Sequence, residues 1–216
     1  MMRFGVDEAG KGPVLGSMFA ACVAADPADL PDGVADSKTL TPARREELDA
    51  HIRDVGRVGV AEISSERIDA PDTDMNSLTV AAHARAIAAA FEDASLDDPP
   101  AGLCDAGDVD EDRFARRVAS RVSFTITLTA RHRADEDDAL VAAASVVAKV
   151  ARDAHVDALA ARYGDVGSGY PSDPTTRAFL AEHVERHGDL PDCARRSWST
   201  CDDVLAAAEQ SSLDAF

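Results

Sequence analysis

The chain has 216 residues, a length that suits one domain with a sizeable core and excludes a disulfide-stapled mini-protein. Its 22 Lys and Arg residues stand against 40 Asp and Glu residues, which gives a formal net charge of −18, yet 45% of the residues are hydrophobic. The hydrophobic fraction excludes an acidic disordered tail, and the net charge by itself argues against binding to nucleic-acid phosphates, which Lys and Arg contact.

Three strands and two helices are predicted in the first part of the chain. Short apolar or alternating runs bounded by glycine and proline indicate strands at 2–6, 14–25 and 56–63. A helix over 43–53 is indicated by Thr41 as its N-cap and by Pro42 at its first position. Apolar residues at helical spacing predict a second helix over 75–91.

The rest of the chain alternates strands and helices and then becomes helical. Strands are expected at 101–105 and 122–129, and helices at 111–120, 138–162, 175–186 and 202–209. An initial pair of strands followed by this alternation predicts one α/β domain over 1–216, with a mixed β-sheet flanked by helices. Within that domain, about 164–216 is expected to form a C-terminal helical segment.

Four acidic residues stand where an apolar run ends or a helix begins. Asp7 and Glu8 follow the first strand run, Asp105 closes another, and Asp135 precedes the longest helix. Each acid alone is most simply a solvated turn residue or a helix cap. Together at one sheet edge they would repel each other unless cations lay between them, and their hard oxygen atoms suit Mg²⁺ or Mn²⁺. Two such ions cleave phosphodiesters by activating a water and stabilising the leaving oxygen.

Six blocks of sequence form a recognisable pattern around these acids. They are FGVDEAGKGPVLGS (4–17), DSKTLTPARRE (36–46), CDAGDVDEDRFAR (104–116), HRADEDDALVAAASVVAKVARD (132–153), GSGYPSDPTTRAFL (167–180) and ARRSWST (194–200). Together with Asn76, the pattern resembles the ribonuclease HII family, also called type 2 ribonuclease H. The resemblance covers nearly the whole chain and implies the ribonuclease H-like α/β fold.

The resemblance also implies a reaction and its catalytic residues. Asp7, Glu8, Asp105 and Asp135 match the four family carboxylates that hold two divalent ions, Mn²⁺ or Mg²⁺. The implied activity is endonucleolytic cleavage of RNA in RNA/DNA hybrids and of ribonucleotides embedded in duplex DNA, leaving 3′-hydroxyl and 5′-phosphate ends. Two alternatives stay open: a non-catalytic protein that binds RNA/DNA hybrids, and another ribonuclease H-like nuclease.

Substrate-binding residues follow from the same resemblance. They are Gly10, Lys11, Gly12, Lys38, Lys149 and Tyr170. The backbone of 10–12 can approach a 2′-hydroxyl closely because glycine lacks a Cβ, and Tyr170 is expected to pack on the sugar. The family usually has Arg where Lys11 stands and Ser where Ala142 stands. Further basic residues that could contact phosphates are Arg44, Arg45, Arg131, Arg133, Arg177, Arg195 and Arg196.

The C-terminal residues fit in part a peptide that binds a sliding clamp. That peptide has the pattern Gln-x-x-aliphatic-x-x-aromatic-aromatic, and Gln210, Leu213 and Phe216 match it, whereas its second aromatic residue is missing. The tail therefore predicts a sliding clamp as a partner.

Composition also indicates the cellular environment. The four cysteines lack C-x-x-C spacing and are expected to be packed, reduced thiols, while the absence of a signal sequence or membrane span predicts a cytoplasmic protein with no membrane partner. We also expect the protein to be a monomer. The chain has 3 Lys against 19 Arg and 29 Asp, a pattern typical of proteins from salt-accumulating halophiles. In about 1 M salt the Debye length is about 3 Å, so surface carboxylates repel each other little. With the motifs in place, the charge indicates molar salt and does not argue against nucleic acid.

Overall fold

The structure is a computed structural model that describes residues 2–34 and 40–213, with the backbone alone for 211–213. Its strands are β1 (Arg3–Ala9), β2 (Met18–Ala24), β3 (Arg57–Ile63), β4 (Ala101–Asp105) and β5 (Thr127–Arg131). Its helices are α1 (Pro42–Val55), α2 (Ser65–Ile68), α3 (Met75–Ala90), α4 (Glu111–Ala119), α5 (Ala139–Tyr163), α6 (Pro174–His187) and α7 (Ser199–Leu213). Short 3-10 helices cover Pro27–Asp29 and Ala134–Glu136.

The five strands form one mixed sheet in the order β3-β2-β1-β4-β5. β1 pairs antiparallel with β2 and parallel with β4, and β4 pairs parallel with β5. The predicted mixed α/β sheet with flanking helices is therefore confirmed, and β1 lies at its centre.

Alternate residues of β1 face two different helices. A Cβ on Gly5 would lie 2.2 Å from the carbonyl carbon of Leu140, so glycine lets the start of α5 lie directly against the strand. On the other face, the ring of Phe4 packs edge-on against Phe91 at the end of α3, with 5.6 Å between ring centroids. Because side chains alternate along a strand, Asp7 shares the α5 face with Gly5.

The chain divides into two compact units. The first comprises 1–9, 19–62 and 74–153, and the second comprises 10–18, 63–73 and 154–216. In the first unit, Val23 of β2 and Leu48 of α1 pack with Val147 of α5 in one buried cluster. In the second, Leu15, Leu180 and Val204 belong to a separate buried cluster.

Most predicted element boundaries lie within two residues of the observed ones, and the exceptions are in β1, β2, β5 and α7, which extends over Ser199–Leu213 where 202–209 was expected. The helices expected from 43, 75, 111 and 138 all form within one residue of those starts, and Thr41 Oγ1 accepts a hydrogen bond from the Arg44 amide as its N-cap role requires. The strand expected over 14–25 begins only at Met18, because the Val14 and Leu15 amides donate instead to the Gly169 carbonyl. The strand expected over 122–129 is Thr127–Arg131. It starts later because the Val122 amide closes a turn by donating to the Ala119 carbonyl.

All four cysteines are buried free thiols, as expected. Burial raises the pKa of Cys193 and of Cys201 to about 11, so both stay protonated at neutral pH. Within the described residues, every helix is too short or too polar to cross a membrane.

Candidate active site

Two of the four predicted acids lie on the central strand. The sequence had placed Asp7 and Glu8 after the end of the first strand. In the structure β1 continues to Ala9, so both residues lie inside the strand. Consecutive strand residues face opposite sides, so the two carboxylates leave the sheet in different directions. Val6 pairs with Cys104 in the parallel ladder, which places Asp7 and Asp105 at the next position of neighbouring strands. Sheet register thus brings these acids together at the carboxyl ends of β1 and β4.

Asp7 is a buried carboxylate with a defined set of donors. It is 6% exposed, and its Oδ1 accepts a hydrogen bond from the Glu8 amide at 2.7 Å. The hydroxyl of Ser145, on α5, also hydrogen-bonds to it. Burial, and then the negative charges of Glu8 and Asp105, raise the pKa of Asp7 well above its usual range, against the lowering effect of these donors. These donors hold the Asp7 carboxylate in place, but they do not offset its burial and the neighbouring negative charges.

Glu8 is fixed by a histidine that the sequence analysis did not identify. Its Oε2 lies 2.8 Å from Nε2 of His83, a fully buried residue of α3 whose ring packs edge-on against Phe114 at 5.1 Å. Nδ1 of His83 has no hydrogen-bond partner among the described residues. An unpaired buried N–H is more costly than an unpaired ring nitrogen, so the proton belongs on Nε2 and is donated to Glu8.

Asp105 and Asp135 are joined by one short segment. Arg133 adopts a left-handed conformation with φ of 57°, and the 3-10 helix that follows presents the Ala134 amide to Asp105 Oδ1 at 2.8 Å. This contact sets Asp135, which is 8% exposed, close to Asp105. Burial and the charges of Glu8 and Asp135 raise the pKa of Asp105, while the Ala134 amide opposes the shift.

Asp135 does not cap the long helix, although it precedes it. Asp138 performs that role, because its Oδ1 accepts hydrogen bonds from the amides of Leu140 at 2.9 Å and Val141 at 3.2 Å. The Asp135 carboxylate is therefore not the N-cap of α5, and it lies near enough to Asp105 for its charge to raise the pKa of that residue.

The four acids fit divalent cations by their chemistry. All the donors are carboxylate oxygens, the ligand type that Mg²⁺ and Mn²⁺ prefer, and a cation among them would relieve their mutual repulsion. Among the described residues, no three His, Cys, Asp or Glu side chains already surround a position where one ion could lie. Ligation would therefore require these side chains to turn toward a shared ion.

The glycine turn at 10–12 belongs to the second unit, and its carbonyl groups accept hydrogen bonds from a buried side chain. The guanidinium of Arg195 donates to the carbonyls of Gly10 at 2.6 Å, Lys11 at 3.0 Å and Gly16 at 2.8 Å. Arg195 is 0% exposed, so its interpretation as a phosphate contact is wrong. Sequence reasoning missed its structural role because burial of an arginine leaves no local signal in the sequence.

Tyr170 lies beside this turn. It is 40% exposed, and a Cβ on Gly12 would be 3.7 Å from its Cε1 atom. The preceding carbonyl, of Gly169, accepts hydrogen bonds from the Val14 amide at 2.8 Å and the Leu15 amide at 3.2 Å. The structure therefore brings the turn and Tyr170 together within the second unit.

The other predicted basic contacts have different environments. Lys149 is half-buried on α5, one turn beyond Ser145 on the same helix face, whereas Lys38 lies outside the described residues. Several arginines contact acidic side chains, at N–O distances from 2.6 to 3.5 Å: Arg44 with Glu47, Arg45 with Asp153, Arg131 with Asp137, Arg133 with Glu136, and Arg196 with Asp189. Arg177 donates to the Pro171 carbonyl at 3.3 Å.

Comparison with known structures identifies the same architecture elsewhere. The crystal structure of ribonuclease H2 from Pyrococcus horikoshii superposes with a TM-score of 0.86 at 34% identity, covering 97% of this chain and 100% of that one. The ribonuclease HII of Archaeoglobus fulgidus, solved in complex with PCNA, superposes with a TM-score of 0.83 at 37% identity, covering 94% and 96%. The predicted ribonuclease H-like fold is confirmed.

Sequence comparison gives the family. The model of the family described as ribonuclease HII matches residues 4–201. Proteins named ribonuclease HII are 65% identical in Haloarcula marismortui, over all of both chains, and 64% identical in Halobacterium salinarum, again over all of both chains. Six ordered motifs, the sheet and these relatives agree, and the chain belongs to the ribonuclease HII family of RNA-cleaving endonucleases.

Proposed function

We propose that this enzyme cuts the RNA strand of RNA/DNA hybrids and cuts duplex DNA at embedded ribonucleotides, with two divalent ions, Mg²⁺ or Mn²⁺, held by its carboxylates. One observation carries the proposal. Asp7, Glu8, Asp105 and Asp135 lie at the carboxyl ends of β1 and β4 and on the adjoining 3-10 helix, where the charges of Glu8 and Asp105 raise the pKa of Asp7 and those of Glu8 and Asp135 raise the pKa of Asp105. Family membership supports the same assignment.

The protein's part in the reaction is to hold and orient. When bound, the two ions supply an activated water and stabilise the charge on the leaving oxygen. His83 orients Glu8, Ser145 orients Asp7, and the Ala134 amide orients Asp105. Attack of water on phosphorus with departure of the 3′-oxygen leaves a 3′-hydroxyl on one fragment and a 5′-phosphate on the other.

Recognition of a ribonucleotide requires contact with its 2′-hydroxyl, the group that DNA lacks. The turn at 10–12 offers backbone amides without a Cβ at Gly10 or Gly12, and the exposed ring of Tyr170 lies next to Gly12. We assign these residues to the 2′-hydroxyl and sugar, and Lys11, Lys38 and Lys149 to phosphates.

A cleavage assay tests the reaction. The substrate is a DNA duplex with one embedded ribonucleotide, incubated with Mg²⁺ or Mn²⁺ in molar KCl because of the net charge of −18. We expect a single cut on the 5′ side of the ribonucleotide, with the matched all-DNA duplex left intact. An uncut substrate under every metal and salt condition would contradict the proposal.

The same assay separates the two alternatives. A non-catalytic hybrid-binding protein would retain both a hybrid and the single-ribonucleotide duplex in a binding assay without cutting either. Another ribonuclease H-like nuclease would cut a long hybrid but leave the single-ribonucleotide duplex intact. The Gly169, Tyr170 and Pro171 block favours ribonuclease HII over another ribonuclease H-like nuclease, and the intact set of four carboxylates favours it over a non-catalytic binder.

A sliding clamp is a further proposed partner. The Archaeoglobus fulgidus relative forms a complex with PCNA. In this chain Gln210 lies on α7, which continues to Leu213, and Phe216 lies outside the described residues. We expect a clamp protein to retain the full chain in a pull-down and to lose it when 210–216 are removed. Equal retention of both forms would dismiss this role for the tail.

A further inference from the structure

Arg195 is a fully buried cation that donates hydrogen bonds to three backbone carbonyls in and near the glycine turn. Its Nη2, Nη1 and Nε donate to Gly10, Lys11 and Gly16 respectively. Its Cζ also lies 5.0 Å from the centre of the Trp198 ring. Burying a charge is costly unless hydrogen bonds compensate for the lost solvation. The three carbonyls supply that compensation, and in return the guanidinium fixes their positions.

The captured carbonyls determine where the amides of the turn point. The described peptide bonds are all trans, and in a trans peptide the carbonyl and the following N–H point in opposite directions. Capture of the Gly10 carbonyl therefore turns the Lys11 amide away from Arg195, and capture of the Lys11 carbonyl does the same for the Gly12 amide. Two consecutive amides are left facing away from the buried guanidinium.

Two further features keep the turn in this conformation. Gly10 has a φ of 86°, a left-handed conformation that glycine adopts without strain. Nε1 of Trp198 donates to the Gly12 carbonyl at 3.3 Å, which fixes the next peptide group. Hydrogen bonding of a charged donor to a carbonyl also polarises that peptide and strengthens its N–H as a donor.

We propose that Arg195 is a positioning residue for ribonucleotide specificity, which fixes the turn so that the Lys11 and Gly12 amides are aimed at the 2′-hydroxyl and its neighbouring phosphate. Trp198 assists through the Gly12 carbonyl. The inference rests on the proposed function, because the ligand of the amides is the ribonucleotide that the enzyme recognises. Neither Arg195 nor Trp198 needs to touch the substrate.

The test compares binding of two matched duplexes by fluorescence anisotropy in molar KCl and EDTA, where no cutting occurs. One duplex contains a single ribonucleotide and the other is all DNA, and the ratio of their Kd values measures specificity. We expect Arg195→Gln to reduce this ratio about tenfold, Arg195→Lys to retain part of it, and Trp198→Phe to reduce it about threefold. The Kd for all-DNA duplex should change less than about twofold.

Arg196→Gln is the matched control. Arg196 is the neighbouring residue, but its guanidinium pairs with Asp189 at 2.9 and 3.0 Å, so its loss should leave the ratio unchanged. Thermal melts in the same buffer identify variants that fail to fold. Trp198→Phe keeps the aromatic ring and removes only the donor, and therefore still decides the question if Arg195→Gln does not fold.

The outcomes distinguish this inference from the proposed function. An unchanged ratio in Trp198→Phe and in folded Arg195 variants overturns the positioning role. A parallel weakening for both duplexes also overturns it, because a purely structural defect would affect them alike. A wild-type ratio near one overturns it as well. Preferential binding that depends on Arg195, without cleavage when metal is added, supports the inference and contradicts the proposed function.

Discussion

The acidic group and the glycine turn have opposite electrostatics. The acids on β1 and β4 bring negative side chains together, and burial with mutual repulsion raises the pKa of Asp7 and of Asp105. The turn at 10–12 works through its backbone, and a buried positive charge, Arg195, holds its carbonyls. In the first region we propose that the side chains themselves hold the metal ions. In the second, we propose that the backbone meets the ligand and that the buried Arg195 fixes that backbone.

Removal of one acid should produce the largest effect. We expect Asp105→Asn to reduce cleavage by at least about a thousandfold, because a neutral amide is a poor ligand for a divalent ion. Asn keeps an oxygen to accept the Ala134 amide, so the free energy of unfolding should change by less than about 1 kcal/mol. Cleavage rates and thermal melts in molar KCl measure both quantities. An unchanged rate would contradict the metal-binding assignment.

His83→Ala tests how strongly the acidic group depends on its support. The variant removes the donor to Glu8 and leaves a cavity beside Phe114, so we expect a loss of about 2–3 kcal/mol in the free energy of unfolding and a roughly tenfold to hundredfold slower cleavage. His51→Ala is the matched control, because His51 is exposed on α1. Wild-type activity in a folded His83→Ala protein would show that Glu8 needs no orienting partner.

The two glycines of the turn should respond differently to alanine. Gly10 has a φ of 86°, so Gly10→Ala introduces strain of about 1–2 kcal/mol and should weaken binding to the single-ribonucleotide duplex about tenfold. At Gly12 the added Cβ would lie 3.7 Å from Tyr170, an ordinary contact, so Gly12→Ala should have the smaller effect. Anisotropy titrations compare the two. The reverse order would contradict the proposed turn geometry.

Asp173→Asn should have the smallest effect of these variants, and the stability that the Asp173 carboxylate contributes should fall as the pH is lowered. Its carboxylate accepts hydrogen bonds from the amides of Ser168 at 2.6 Å and Thr175 at 3.0 Å, which lower the pKa of Asp173 to about 2. Because the folded-state pKa is depressed, this stabilisation is complete above about pH 4, the ordinary range of an aspartate, and is lost as pH falls toward 2. We expect Asp173→Asn to reduce the melting temperature at pH 7 and to converge with wild type near pH 2.

Substrate binding provides the second readout for Asp173. The residue holds the loop that precedes Tyr170, so the KM of Asp173→Asn should rise a few-fold while kcat is retained. Asp165 also bonds a loop amide, that of Gly167 at 3.0 Å, and Asp165→Asn is the control for loss of a single local contact. Equal KM values for wild type and Asp173→Asn would show that this loop does not contribute to substrate recognition.

Local patterns predicted the helices well and singled out the four acids as candidates. Thr41, Pro42 and the apolar spacing of 75–91 are signals contained within a few residues, so the helix boundaries could be inferred without knowledge of neighbours. Asp105 stood out because it closes an apolar run, and Asp135 because it precedes the longest helix. The strand limits were less accurate, because pairing partners decide where a strand ends, as with Ala9 and Phe19.

The sequence alone determined the family and pointed to the four acids and the glycine turn as candidates, because these lie in contiguous motifs whose residue types restrict the chemistry. Only the tertiary structure showed that His83 supports Glu8 and that Arg195 supports the turn, 185 positions away from Gly10 along the chain. Histidine and arginine are common surface residues, and their spacing does not reveal burial. Their roles depend on which backbone carbonyl or carboxylate packing places within hydrogen-bond distance, and the folded chain alone decides that.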